Sequence, residues 1–210
     1  MGREGRRRQD AFKRGLHLGG ELRKVEQEGE GGVGEVEGKV LGEGILVGIL
    51  EEFLNLLRDL CRAHYGDNLC SVVLFGSVAR GDYGSGSDID VLVVLKDAGG
   101  SFGSRMEEFF SVIKALRDSR LYGLLREEGL PHKVQPVILS LEELKAHPPL
   151  LLDLTTDARV LLDREGAFAE EMEAVKARMR ELGSRKVVID GKRWYWILKP
   201  DIKRGEVVEI

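Results

Sequence analysis

Two aspartates, Asp88 and Asp90, stand two residues apart where an apolar run, Ile89 to Leu95, begins. Alternation along a strand sends both carboxylates to one face and Ile89 to the other. Carboxylates a few ångströms apart repel one another, and a cation between them removes the penalty. Mg²⁺ (or Mn²⁺) suits such a pair, because it takes few carboxylates and completes its shell with phosphate oxygens and water. A second apolar run ends in Gly76-Ser77, with ten residues between Ser77 and Asp88. Glycine there lets the backbone approach a ligand closely. The segment Ser77 to Arg80 can open a helix, whose first N–H groups lack intrahelical partners and favour anions. Ser77 adds a hydroxyl and Arg80 a permanent positive charge. The two halves make joint chemical sense as a cradle for the phosphates of a metal-bound nucleoside triphosphate. Gly, Ser and Asp in a loop are ordinarily turn chemistry. The argument for a site rests on the combination of both halves with two flanking apolar runs.

The elements that must position these residues can be read from periodicity. Leu46, Ile49, Leu50, Phe53, Leu54, Leu57 and Leu60 recur at helical spacing, and Gly66-Asp67 closes that helix. Ser71 to Phe75 and Ile89 to Leu95 are predicted strands. Residues 104–128 are predicted to form one or two helices, with Met106, Phe109, Phe110, Ile113 and Leu116 facing the core. A third strand is expected over Lys133 to Leu139, then a short helix opened by a Ser140–Glu143 capping box and ended by Pro148-Pro149. Arg159 to Leu162 is the fourth predicted strand and Phe168 to Leu182 an amphipathic helix. Val187 to Leu198 is expected to be a hairpin across Asp190-Gly191, with Trp194, Tyr195 and Trp196 on its second arm. The expected architecture is α/β (α+β), a mixed sheet flanked by helices with a C-terminal β-hairpin.

Composition restricts the function classes. The 210 residues carry a formal net charge of -4, which argues against coating nucleic acid by electrostatics alone. No apolar stretch approaches the ~20 residues of a membrane span. Arg6, Arg7 and Arg8 precede no apolar core, so no secretory signal is read and a cytoplasmic location is expected. Cys61 and Cys70 form neither a CxxC pair nor a metal cluster, and the four histidines have no metal-ligand spacing. Residues 1–43 are rich in Gly, Glu and Arg, and are expected to be a flexible extension before a domain over 44–165 and a C-terminal helix and hairpin over 166–210. The extension holds a GxGxxG match, Gly29 to Gly34. The charged residues before it and the glycines after it lack the strand and helix that a dinucleotide loop needs.

The stretch Leu74 to Leu95, LFGSVARGDYGSGSDIDVLVVL, resembles the signature of the polymerase β-type nucleotidyltransferase superfamily, and within it the minimal nucleotidyltransferases of prokaryotes. The resemblance implies the nucleotidyltransferase fold, with Gly76 and Ser77 on the β- and γ-phosphates, Arg80 assisting, and Asp88 and Asp90 as catalytic metal ligands. It also implies transfer of a nucleoside monophosphate, AMP from ATP, to a hydroxyl acceptor. Some such proteins pair with a HEPN-type toxin, so a HEPN-type partner is an expectation of the same kind. A catalytically weakened, antitoxin-like binding protein is the alternative.

One position departs from the family pattern. Active members add a third carboxylate from a later strand, and the matching strand here, Lys133 to Ile138, has Gln135 in that place. An amide oxygen can touch a metal, but it brings no charge and cannot act as a base. Glu142, Glu143, Asp153 and Asp157 follow nearby. The first two read as helix-start charges, the last two as loop or cap residues. Pro136 removes a ladder donor, which suits an edge strand or a bulge. For Trp194 and Trp196, packing of the hairpin onto the domain is the first reading and base stacking the second. The basic tail around Lys186, Lys192, Arg193, Lys199, Lys203 and Arg204 reads first as a solvated charged face and second as a nucleic-acid contact.

Overall fold

The computed structural model describes residues 42–190 and 193–210. The expected extension, with its GxGxxG match, lies outside the described residues up to residue 41. Helix α1 (Glu43–Tyr65) ends at Gly66, whose φ of 56° gives the reversal that a residue with a side chain adopts only under strain. A short 3₁₀ turn leads into β1 (Leu69–Phe75), and α2 (Gly76–Arg80) follows directly. The remaining elements are β2 (Ile89–Leu95), α3 (Phe102–Arg117), α4 (Arg120–Glu127), β3 (Val134–Ser140), α5 (Leu141–Lys145), α6 (Leu150–Asp157), β4 (Arg159–Asp163), α7 (Ala167–Leu182), β5 (Arg185–Val188) and β6 (Trp194–Ile197).

The sheet runs β3-β2-β1-β4, and β5 pairs with β6 in a separate hairpin. β1 lies antiparallel to both β2 and β4, while β2 and β3 are parallel. The parallel pair needs a crossover, which α3 and α4 supply. β1 and β2 are central and nearly continuous in Val and Leu, as strands covered on both faces must be. β3 is an edge strand, which is where Pro136 can be accommodated.

Each sheet face has its own core. On one, Phe53, Leu54 and Leu57 of α1, Phe109, Val112 and Leu116 of α3, and Leu125 of α4 pack on Val72, Leu74, Ile89, Val91 and Val93. On the other, Leu144, Leu151, Leu154, Phe168, Met172 and Val175 of α5 to α7 cover Val73, Leu92 and Val94. Burying one such side chain contributes about 1.5–3 kcal/mol. The order of residues in β2 makes Asp90 share the second face with Leu92 and Val94.

Two expectations are corrected here. Phe110 does not face the core: it is 56% exposed, and Val112 is buried instead. The inward stripe of α3 is Phe109, Val112 and Leu116, because packing on α1 rotates the helix away from Phe110. Asp153 and Asp157 are not loop residues but lie on α6, an eight-residue helix between Pro149 and Ala158 that was not predicted. The capping box does form: Glu143 N–H donates to Ser140 Oγ at 3.0 Å and Ser140 N–H to Glu143 Oε2 at 2.7 Å.

Candidate nucleotide and metal site

The carboxyl end of β1 and the start of β2 are neighbours because the strands are antiparallel, with Phe75 opposite Asp90. That pairing brings the Gly-Ser turn and the aspartates together. Gly76 has φ of 71°, and a Cβ built on it would overlap Asp90 Oδ2 and stand 3.3 Å from Asp90 Cγ. Glycine is therefore required twice, by its backbone angle and by the carboxylate lying against it. Gly76 is the first residue of α2 and Ser77 the second, and Val78 anchors that helix in the core. Gly81, left-handed at φ 79°, ends it, donating its N–H towards the carbonyls of Ser77 and Val78.

Burial first, and the neighbouring Asp88 second, raise the Asp90 carboxyl above the usual range, with Arg80 opposing the shift. A half-buried carboxylate beside a second one is short of positive charge. On the adjacent strand Gln135 is the register partner of Asp90 and is exposed. In a parallel pair, register partners project from the same face. Asp88 and Asp90 offer anionic oxygens and Gln135 an amide oxygen on the adjoining strand, and hard donors of this kind fit a divalent cation such as Mg²⁺.

Of the other carboxylates considered from the sequence, Glu143, Asp153 and Asp157 have side-chain partners of their own. Glu143 closes the capping box and takes two bonds from Arg105, at 2.6 and 3.0 Å, near the opposite end of β3 from Gln135. Glu142 sits on that same short helix. Asp153 accepts the indole N–H groups of Trp194 and Trp196, at 2.8 and 2.9 Å. Those bonds dock the hairpin on α6, which is the packing expected of the two tryptophans. Asp157 meets Arg80, with Nη1 donating to Oδ2 at 3.1 Å. Among the described residues, no three His, Cys, Asp or Glu side chains come together to hold a metal.

Sequence reasoning missed the surroundings of Arg80. Asp82, Asp157, Lys186 and Trp194 all approach it or one another. Only Asp82 lay close enough in sequence to be suspected. Part of the basic tail is paired with acids: Arg193 with Asp190, Lys199 with Glu206, and Lys186 with Asp157.

The geometry at Gly76 gives a direct prediction. Gly76→Ala should cost about 1–3 kcal/mol of stability from the strained angle, and should displace the Asp90 carboxylate. We expect a lower melting temperature together with a Mg·ATP affinity weakened by about 10-fold or more. Unchanged affinity in a folded variant would show that Asp90 does not need its observed position.

A mixed sheet that carries Gly-Ser at one strand end and Asp-x-Asp at the start of its antiparallel neighbour defines a protein of the nucleotidyltransferase fold. Residues 54–162, more than half of the chain, match the family model described as nucleotidyltransferase domain; the protein belongs to that family and is a nucleotidyltransferase. A Methanocaldococcus jannaschii protein provisionally named protein adenylyltransferase MJ1305 is 32% identical over 158 residues, covering 73% of this chain and 96% of that one. A second from the same organism, provisionally named protein adenylyltransferase MJ0141, is 40% identical over 52 residues, 25% of this chain and 48% of that one. Among solved structures, a toxin–antitoxin crystal structure with AMP-PNP covers 63% of this chain and 91% of its own at 18% identity, with a TM-score of 0.38. No helix among the described residues is long and apolar enough to cross a membrane.

Proposed function

We propose that this protein transfers AMP from ATP to a hydroxyl group of an acceptor protein, with Mg²⁺ (or Mn²⁺) as cofactor. The observation that carries the reading is the close approach of Gly76 to Asp90, which merges the Gly-Ser turn and the carboxylate pair into one site. Gly76 and Ser77 bind the β- and γ-phosphates, and Arg80 contributes its charge beside them. Asp88 and Asp90 are the residues that would hold divalent metal, with the Gln135 amide in reach of the same face. When bound, such ions supply charge neutralisation at the attacking and leaving oxygens of an in-line displacement. The reaction forms a bond from the acceptor oxygen to the α-phosphorus and releases pyrophosphate. Since Gln135 cannot take the acceptor's proton, that proton passes to water or to a base brought by the acceptor.

A protein acceptor is supported by the provisional name of the 32% identical relative. The alternative is a domain that binds nucleotide without transfer, as an antitoxin-like partner of a HEPN-type protein. Both are tested by titrating the protein with ATP, with and without Mg²⁺, beside an assay for transfer of labelled AMP to candidate protein acceptors. Magnesium-dependent binding with acceptor labelling is expected. Tight binding with no transfer to its true acceptor would overturn the catalytic reading and leave the binding one.

A further inference from the structure

The guanidinium of Arg80 is held by carboxylate partners of two different kinds and by an aromatic ring. Its Nε and Nη2 edge faces Asp82, at 3.2 Å to Oδ2 and 3.2 Å to Oδ1. Its Nη1 donates to Asp157 Oδ2 at 3.1 Å, and the Trp194 ring centre lies 5.3 Å from its Cζ. The Asp82 side chain is 58% exposed on the loop after α2, whereas that of Asp157 is 9% exposed at the end of α6. Asp157 is further fixed by Lys186, 3.7 Å away, and Lys186 lies over Trp194 at 4.2 Å. Asp153 ties Trp194 to α6 in turn. One carboxylate thus belongs to a braced wall built from α6 and the hairpin, and the other to an open loop. The edge that Asp82 occupies is the two-donor fork with which arginine grips carboxylate and phosphate alike.

We propose that Asp82 is a stand-in for the terminal phosphate of the nucleotide. It holds the Nε–Nη2 fork of Arg80 until a triphosphate displaces it, while Asp157 and Trp194 keep the guanidinium from swinging away. Asp157 and Trp194 are then positioning residues, and the hairpin, which lies beyond the matched family region 54–162, helps set nucleotide affinity. This inference rests on the nucleotide-binding reading above.

The two acids on one arginine should act in opposite directions. If only net charge mattered, losing either carboxylate would strengthen the binding of a polyanion. Displacement and positioning instead require Asp82→Asn to tighten binding and Asp157→Asn to loosen it. The test is calorimetric titration of the full chain and its variants with Mg·ATP, with circular dichroism confirming the fold. We expect binding about 3- to 5-fold tighter for Asp82→Asn, the scale of an exposed ion pair. We expect about 10-fold weaker binding for Asp157→Asn, and about 3-fold weaker for Trp194→Leu. Should Asp157→Asn not fold, Asp82→Asn and Trp194→Leu still decide the question with their opposite signs. Effects of one sign in all folded variants, or no effects, would overturn the inference while wild-type binding stands. Absence of saturable Mg·ATP binding in the wild type would instead overturn the nucleotide reading, and this inference with it.

Discussion

Asp90→Asn should severely weaken Mg·ATP binding and slow transfer while making the metal-free protein more stable. The substitution keeps the shape of the side chain and removes the negative charge that lies against the Gly76 turn. A catalytic metal stabilises transition-state charge by several kcal/mol, so the rate should fall by about 10²-fold or more. The stability effect has the opposite sign. Burial and then Asp88 raise the Asp90 carboxyl above its ordinary range, so the folded chain holds that proton more tightly than the unfolded chain does. Ionised Asp90 therefore opposes folding at neutral pH, and the penalty fades as the pH falls through the carboxylate range. The gain in melting temperature should accordingly be larger near pH ~7 than near pH ~4 when metal is absent. Thermal denaturation in chelator, beside a Mg·ATP titration, reads both effects. A variant that binds Mg·ATP as tightly as the wild type would remove the basis of the proposed chemistry.

Gln135→Glu should raise the rate of transfer by about 10²-fold, within the usual range for a positioned base. The reasoning comes from register. Gln135 is paired with Asp90 across a parallel ladder, on strands about 4.8 Å apart. A carboxylate of the same length would stand on the aspartates' face, where it could both ligate metal and receive the acceptor's proton. Without metal it would add a third negative charge to a site already short of cations, so the melting temperature in chelator should fall. Gln135 is exposed, so the exchange disturbs no packing. Steady-state transfer at saturating Mg·ATP checks the rate, and a denaturation curve in chelator checks the charge effect. A rate that does not move while the metal-free protein is destabilised would place residue 135 beside the metals but outside the proton's path.

The protein acceptor proposed here gives the missing base a particular meaning. On that proposal, two carboxylates and an amide would hold and polarise the triphosphate but leave the acceptor's proton to another group. Catalysis would then depend on what the acceptor brings, and bulk water would be a poor substitute nucleophile. Hydrolysis of ATP alone should therefore be slow beside transfer to the acceptor.

The sequence by itself determined the local parts of this protein. Gly76, Ser77, Asp88 and Asp90 could be placed because strand alternation, the freedom of glycine and the opening of a helix are properties of chain neighbours. The Ser140–Glu143 capping box was legible for the same reason, since its bonds close within one turn. Tertiary structure alone decided which distant groups meet. Arg80 reaches Asp157 across 77 residues, and nothing in the spacing of either announces the contact. Helix α6 escaped notice because eight residues are too few for a helical period to stand out from an apolar run. Phe110 was assigned to the core because it shares a broad apolar stripe with Phe109, and only packing against α1 and the sheet chose Val112 instead. Local hydrogen bonding and periodicity are written in adjacent residues, whereas a side chain's distant partner depends on how several elements stack at once.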